Sequence, residues 1–204
     1  MSAHVSSGSL LDHSVADSSL ASPIRVAVVG LAVMLTAAAA QFTVPVPFTA
    51  VPFVLTPLAV LLSGAALGSR RGCISQALYL LAGVAGAPVF APSLTLPPGV
   101  LRLFGPTGGY LMAYPVAAFV TGWLAERGWD RRYLTSAGAM LIGLAIIFVG
   151  GVSWYAVTVT HSLPAAIGGA FLPFVGLDIL KVVAAAAILP RAWQILGRSG
   201  RLPR

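Results

Sequence analysis

The sequence FVGLDILK, residues 174 to 181, places an aspartate and a lysine three positions apart inside a long apolar run. Residues 182 to 189 continue this run without a polar side chain, and Lys181 is the only lysine in the sequence. On a helix, Asp178 and Lys181 would share a face. Either charge would be costly alone in a bilayer, so we expect the pair to face the protein interior and to mark a binding site or pathway. The alternative is a structural ion pair near the membrane interface.

The composition of the whole chain is that of an integral membrane protein. Hydrophobic residues make up 58% of the 204 residues and charged residues 8%, against roughly 25% charged residues in a soluble domain. The mean hydropathy is +0.93. A chain of this length has room for about six spans of some 20 residues each. The sequence therefore predicts an all-α, polytopic membrane protein with six transmembrane helices.

Three segments follow from the distribution of polar residues. Residues 1–22 lack the apolar core of a signal peptide, so we interpret them as a disordered cytoplasmic tail. Residues 23–190 form the six-helix transmembrane domain, and residues 191–204 form a basic cytoplasmic tail. The predicted spans are residues 24–42, 54–67, 72–87, 107–125, 134–159 and 164–190.

Two proline-rich connections interrupt the spans. Loop 1, from Thr43 to Pro57, and loop 2, from Val89 to Gly105, each contain several prolines between apolar residues. Proline removes a backbone donor and disfavours helix at the preceding residue, so both loops should be largely extended. Their apolar side chains suggest lids folded back over the helices. The motif GPTGGY, residues 105–110, predicts a helix start just after loop 2.

The arginines indicate the orientation of the chain. With six spans, ten arginines fall on one side of the membrane, and Arg102 stands alone on the other. Basic residues favour the cytoplasmic side, so both termini should be cytoplasmic and both proline-rich loops outside. The net charge of +7 comes from arginines that lie singly or in pairs between apolar spans. They do not form the continuous basic face of a nucleic-acid-binding protein.

The sequence lacks the common motifs of catalysis. It contains no phosphate-binding P-loop, no HExxH pair and no GxSxG elbow, so energy for any transport would come from a partner or an ion gradient. Cys73 is the one cysteine and the three histidines are scattered, which argues against a disulfide and a metal site. We expect no catalytic residue and no enzyme activity. A membrane-embedded enzyme and a structural membrane subunit remain the alternatives from other classes.

Five motifs, in this order, resemble the BioY family of substrate-binding components. They are PVPFT at 45–49, LAVLLSGAALGSRRG at 58–72, YLLAGVAGAPVFA at 79–91, GPTGGYL at 105–111 and GLDILK at 176–181. The resemblance spans roughly residues 24 to 190. It implies a multi-pass protein of the prokaryotic cytoplasmic membrane, surrounded by lipid, that takes up biotin as the substrate-binding (S) component of an energy-coupling factor (ECF) transporter. Its implied partners are a transmembrane coupling protein and two ATPase subunits, and no cofactor is expected.

The resemblance also implies a binding site. Asp178 and Lys181 match the aspartate and lysine that line the vitamin site in the family. A carboxylate and an ammonium group could satisfy the two N–H donors and the carbonyl of the biotin ureido ring with charge-assisted hydrogen bonds. Lys181 could instead hold the valerate carboxylate. The same architecture with another small vitamin is an open alternative.

Further residues are assigned to the site or to partner docking. A polar contact to the ureido ring is expected from Ser93 or Thr95 in loop 2. Helix one carries small residues four apart, which would let a coupling-protein helix approach closely or would pack within the chain. The predicted apolar walls of the site are Phe48, Phe53, Tyr79, Phe90, Tyr110 and Phe174, and the predicted docking residues are Ala32, Thr36 and Ala40.

Overall fold

The computed structural model describes residues 9–10, 21–93 and 96–198, most of them helical. The helices are α1 (Ala21–Gln41), α2 (Thr56–Leu67), α3 (Ser69–Val84), α4 (Leu101–Phe104), α5 (Gly108–Glu126), α6 (Tyr133–Tyr155), α7 (Leu163–Ala170), α8 (Leu172–Ala185) and α9 (Ile188–Arg198). A 3-10 turn, Trp129–Arg131, precedes α6, and a π-helical segment, Ala156–Thr160, follows it. Two short strands, β1 (Thr43–Val44) and β2 (Phe53–Val54), pair antiparallel within loop 1.

Three helical stretches of the described chain are long and apolar enough to cross a membrane. They are Pro23–Gln41, Tyr133–Thr160 and Leu172–Ile195, and Thr56–Leu67 is a shorter apolar helix. A span needs about 20 apolar residues, so these segments identify a helical membrane protein.

The sequence predicted the positions of most helices and missed two local features. Gly68 alone separates α2 from α3, because its φ of 85° ends one helix and lets the next begin at Ser69. The sixth predicted span is divided into α7 and α8 at Phe171, and Pro173 occupies the first turn of α8. Proline is tolerated in a first turn but interrupts a helix that would run through it, which explains the division.

A carboxylate caps the start of α3. The backbone N–H of Ser69 donates to Glu126 Oε1 over 2.7 Å, and the Ser69 hydroxyl donates to the same carboxylate over 3.0 Å. Negative charge is favourable at a helix N-terminus, where backbone N–H groups lack helical partners. Glu126 ends α5, so this contact fixes the end of α5 against the junction of α2 and α3.

Helix α5 lies at the centre of the fold and packs against α2, α3 and α6. Small residues allow this close approach. A Cβ added to Gly122 would lie 2.7 Å from the Gly64 carbonyl oxygen and 2.5 Å from the Ser69 nitrogen. Both of these are backbone atoms, which cannot rotate away as the end of a side chain could. The spacing of α5 from α2 and α3 therefore depends on glycine.

The small residues of α1 pack inside the chain. Ala32, Thr36 and Ala40 are all buried, and Gln76 of α3 donates from Nε2 to Thr36 Oγ1 over 3.2 Å and to Ser63 Oγ over 2.9 Å. The structure thus shows the intramolecular packing expected for this stripe, and docking of a partner on it stays a prediction. Leu31 and Leu35, on another face of α1, are exposed.

The predicted tails are partly packed. Ser9 and Leu10 are buried, and the rest of 1–20 lies outside the described residues. At the other end, α9 extends the helical part of the chain to Arg198, beyond the boundary predicted at 190. Trp193 of α9 donates from Nε1 to Asp130 Oδ2 over 2.6 Å, which ties this helix to the turn before α6.

Candidate functional site

A cavity lies between the helices and the two proline-rich loops. Its wall is mostly apolar and aromatic with a few polar groups, as is common in small-molecule sites. Loop 1, α2, α3, loop 2, α5, α6 and α8 all contribute to its wall. The lining residues are Val51, Pro52, Phe53, Val54, Thr56, Pro57, Tyr79, Phe90, Ala91, Arg102, Thr107, Tyr110, Leu111, Tyr114, Ile147, Phe148, Phe174 and Asp178.

Asp178 supplies a buried carboxylate to this wall. It lies in the middle of α8 and is 7% exposed. Its Oδ1 is 2.5 Å from Lys181 Nζ, so the two charges pair as the i, i+3 spacing predicts. The Asp178 carboxylate lines the cavity, where it could accept hydrogen bonds from a ligand.

Lys181 is beside the cavity but does not line it. Its ammonium group donates to the carbonyl oxygen of Val54 over 2.9 Å and lies 4.0 Å from the centroid of the Phe53 ring. Both partners belong to strand β2 of loop 1. The direct ligand contact expected of Lys181 from the sequence stays a prediction; in the structure its ammonium group meets Asp178 and strand β2.

Arg102 supplies a positive charge to the wall, a role that was not predicted from the sequence. It lies on α4, is buried, and donates hydrogen bonds to the carbonyl oxygens of Ala91 and Leu96 in loop 2. Burial lowers the pKa of its guanidinium from the ordinary value, although an arginine stays protonated in proteins. One feature of the sequence could have indicated this role: Arg102 is the one arginine predicted on the outer side of the membrane, apart from the other ten.

Three tyrosines surround the charged groups. The Tyr79 hydroxyl donates to the Val89 carbonyl over 3.2 Å, and this ring interacts electrostatically with Arg102. Tyr110 donates to the carbonyl oxygen of Ala170, and Tyr114 hydrogen-bonds with Thr56. Both of these tyrosines line the cavity together with Asp178. We call the part of the wall with Tyr79 and Arg102 the Arg102 end, and the part with Tyr110, Tyr114 and Asp178 the Asp178 end.

The aromatic walls agree in part with the sequence prediction. Phe53, Tyr79, Phe90, Tyr110 and Phe174 all line the cavity. Tyr79 meets Phe90 edge to face, with ring centroids 5.4 Å apart. Phe148 and Tyr114 also line the cavity and were not predicted, since aromatic residues inside long apolar spans give no sign of which face they occupy.

Two predicted site residues lie elsewhere. Phe48 is 71% exposed at the tip of loop 1, because the β1–β2 hairpin carries residues 51–54 to the cavity and turns the tip outward. Ser93 is exposed, and its hydroxyl accepts a hydrogen bond from the Leu96 N–H within loop 2. Thr95, the alternative to Ser93, is outside the described residues. Phe48, predicted in the apolar wall, and Ser93, predicted as a polar contact, therefore do not line the cavity, and both assignments are corrected.

The arrangement suits one small amphipathic molecule. A carboxylate can accept hydrogen bonds from N–H groups, a guanidinium can hold an anion, and aromatic rings can cover apolar parts of the same molecule. Within residues 9–10, 21–93 and 96–198, no three His, Cys, Asp or Glu side chains are grouped so as to hold a metal ion.

Known proteins resemble this chain in sequence and in fold. The biotin transporter BioY of Thermotoga maritima is 39% identical over 151 residues, which is 72% of this chain and 84% of the relative. A probable biotin transporter BioY of Pyrococcus horikoshii is 38% identical over 167 residues, covering 82% and 94%. The crystal structure of the S-component for biotin from an ECF-type ABC transporter has a similar fold, with a TM-score of 0.71 at 21% identity over 84% of this chain and 89% of that one. The BioY family model matches residues 13–198, and together with these relatives it shows that the chain belongs to the BioY family.

Proposed function

We propose that this chain binds biotin and serves as the substrate-specific component for its uptake by an ECF transporter. The observation that carries the proposal is the cavity in which Asp178 and Arg102 share one aromatic wall. Relatives with the same family match are named biotin transporters, and the similar fold is that of an S-component for biotin. The role is transport and not catalysis, in line with those relatives.

The ureido ring fits the Asp178 end of the cavity. Its N–H groups would donate to the Asp178 carboxylate, a charge-assisted hydrogen bond in a buried site. The ureido carbonyl would accept from a hydroxyl, and the hydroxyls of Thr56 and Tyr114 lie at this end.

The valerate carboxylate fits the Arg102 end. A buried guanidinium whose backbone partners are neutral carbonyl groups retains its charge for an anionic ligand. The fused thiophane ring and the aliphatic tail would lie between these ends against Phe53, Phe90, Phe148 and Phe174. Burial of such apolar surface contributes roughly 25 cal/mol per Å².

Membrane topology and partners complete the proposal. We place six spans in the cytoplasmic membrane of a prokaryote, with both termini inside and loops 1 and 2 outside, on the strength of the arginine distribution. The sequence has no P-loop, so ATP hydrolysis would be supplied by two ATPases through a transmembrane coupling protein. The exposed apolar face of α1 offers a surface for that protein or for lipid.

Uptake of labelled biotin by cells without their own biotin transporter tests this function. Expression of the chain together with an ECF coupling module should give energy-dependent accumulation, and unlabelled biotin should compete. The Asp178→Asn variant, present in the membrane at the same level, should lose most of the uptake. Equal accumulation with the variant and with the unaltered chain would refute the site, and accumulation of a different vitamin would refute the substrate.

A further inference from the structure

The turn between α5 and α6 combines exposed aromatic residues with arginines. Its sequence, WLAERGWDRRY at 123–133, holds three aromatic residues and three arginines in eleven positions. The side chains of Trp123, Trp129 and Tyr133 are all exposed. Tryptophan and tyrosine are enriched where a membrane meets water, at the depth of the lipid headgroups. The turn lies at the end of α5 away from loop 2, and its residues, all of them described, are absent from the cavity wall.

The acidic residues of this turn are engaged inside the protein. Glu126 accepts hydrogen bonds from Ser69 at the start of α3. Asp130 is buried and accepts a hydrogen bond from Trp193 Nε1 over 2.6 Å. The side chains of Arg127 and Arg132, in contrast, are exposed. The charge that the turn presents to its surroundings is therefore predominantly positive.

Arg127 is held in place by a neighbouring aromatic residue. Its guanidinium carbon lies 3.3 Å from the centroid of the Trp123 ring, and Nη1 donates to the Trp123 carbonyl oxygen over 3.1 Å. Stacking uses the flat face of a guanidinium group, so the N–H groups at its edge can still bind an oxygen anion such as a phosphate. Because the side chain is already ordered, binding of an anion costs little further side-chain entropy.

Helix α9 extends this surface. It packs on the 3-10 turn, where the guanidinium carbon of Arg131 lies 4.7 Å from the centroid of the Trp193 ring. On the outer face of α9, Ile188, Arg191 and Ile195 are exposed. Positions three and four apart share one face of a helix, so Arg191 lies between two apolar side chains. Such a mixture suits the membrane interface, where apolar groups enter the lipid and arginines extend toward the headgroups.

We propose that these groups form a binding surface for the headgroup of an anionic phospholipid. The cation of a zwitterionic headgroup offsets its phosphate, whereas an anionic headgroup gains about fivefold in affinity for each nearby arginine. The exposed aromatic side chains would contact the adjoining lipid. The proposal rests on the membrane character of the chain and not on biotin binding. The basic aromatic surface consists of Trp123, Arg127, Trp129, Arg132, Tyr133 and Arg191.

Quenching of tryptophan fluorescence by brominated lipids measures this preference in the intact chain. One of the four tryptophans, Trp154, lies at the other end of α6, so a Trp154→Phe background confines the signal to the end that carries the basic aromatic surface. The chain is reconstituted in phosphatidylcholine bilayers, and brominated phosphatidylglycerol or brominated phosphatidylcholine is added. At low ionic strength, phosphatidylglycerol should bind about tenfold or more tightly than phosphatidylcholine, and high salt should lower this ratio.

Loss of charge from the basic aromatic surface should lower the preference. Arg127→Gln and Arg132→Gln should each reduce the ratio of the two lipid affinities about fivefold. Arg127→Lys keeps the charge and gives up the planar stack, so it should keep most of the ratio. Comparison of two lipids in the same variant cancels any change in the intrinsic fluorescence. No preference in the unaltered chain, or an unchanged ratio in both glutamine variants, would overturn the proposal.

Arg70→Gln is the matched control for these variants. Arg70 is also exposed, at the start of α3, but no aromatic residue occurs from 58 to 78. This substitution should leave the ratio unchanged, and a fall equal to that of Arg127→Gln would contradict the assignment to the basic aromatic surface. A protein is the other possible occupant. If the Arg127→Gln, Arg132→Gln double variant kept the lipid ratio but no longer co-purified with the coupling protein, the surface would belong to that protein and the proposal would be refuted.

Discussion

Asp178 and Arg102 carry opposite charges and lie on the wall of the same cavity, one on α8 and the other on α4. Asp178 is held by Lys181, and Arg102 by two carbonyl groups of loop 2. A molecule with N–H donors at one end and an anion at the other satisfies both groups at once. Biotin has this arrangement, and each group can be tested separately.

Asp178→Asn should weaken biotin binding by about 10- to 100-fold, since a hydrogen bond to a charged group contributes roughly 1.5–3 kcal/mol. Equilibrium binding of labelled biotin to purified protein in detergent measures the loss. Asp130→Asn is the matched control, because Asp130 is also buried but bonds to Trp193, away from the cavity. It should lower the melting temperature and leave the affinity unchanged. Equal affinity of Asp178→Asn and the unaltered chain would contradict the role of Asp178.

Arg102→Gln should weaken the binding of biotin far more than that of biotinamide, in which the carboxylate is replaced by a neutral amide. The unaltered protein should prefer biotin by about tenfold or more, as for a charge-assisted contact, and the variant should lose this preference. Competition of each compound against labelled biotin measures both affinities. An equal loss of affinity for both compounds would contradict this role, because Arg102 would then stabilise loop 2 without binding the carboxylate.

Two phenylalanines of loop 1 can be compared: Phe53 lies on the cavity wall, and Phe48 is exposed at the tip of the loop. Phe53→Ala should weaken biotin binding by about tenfold or more, because it removes apolar contact with the ligand and the ring beside Lys181. Phe48→Ala should leave the affinity for biotin within about twofold of that of the unaltered chain, as expected for an exposed side chain without ligand contact. A larger effect at Phe48 than at Phe53 would place the ligand elsewhere.

The fold followed from the sequence to the extent that hydropathy and proline determine it. The lengths of the apolar runs indicated where the helices lie. The motif GPTGGY predicted the start of α5 to within one residue. The break at Phe171 was missed because hydropathy continues through it, and the immediate start of α3 was missed because one glycine replaces a loop. Both features depend on backbone conformation at single residues.

The site was predictable where a charge stood in an apolar context. Asp178 was found for that reason, and Arg102 had the same signature but was interpreted only as a marker of topology. The contact of Lys181 with Val54 could not be inferred, because it joins residues 127 positions apart. Thr36 illustrates the same limit: small residues allow close approach, but only the fold shows that the partner is Gln76.

Gly122→Ala should destabilise the protein by about 1–3 kcal/mol, because the added methyl group would collide with the backbone of α2 and α3. Thermal unfolding in detergent measures the change. Gly30→Ala on α1 is the control, since a Cβ there meets nothing within 4 Å. That substitution should be neutral or stabilising, because alanine favours helix by roughly 1 kcal/mol over glycine. The opposite order of the two melting temperatures would contradict the packing of α5.

Calorimetric titration of the purified chain with biotin tests the central claim most directly. We predict one saturable site per chain with a submicromolar dissociation constant, lost or strongly weakened in Asp178→Asn, with no coupling module present. A folded, monodisperse protein that shows no saturable binding of biotin at submicromolar concentration would contradict the account.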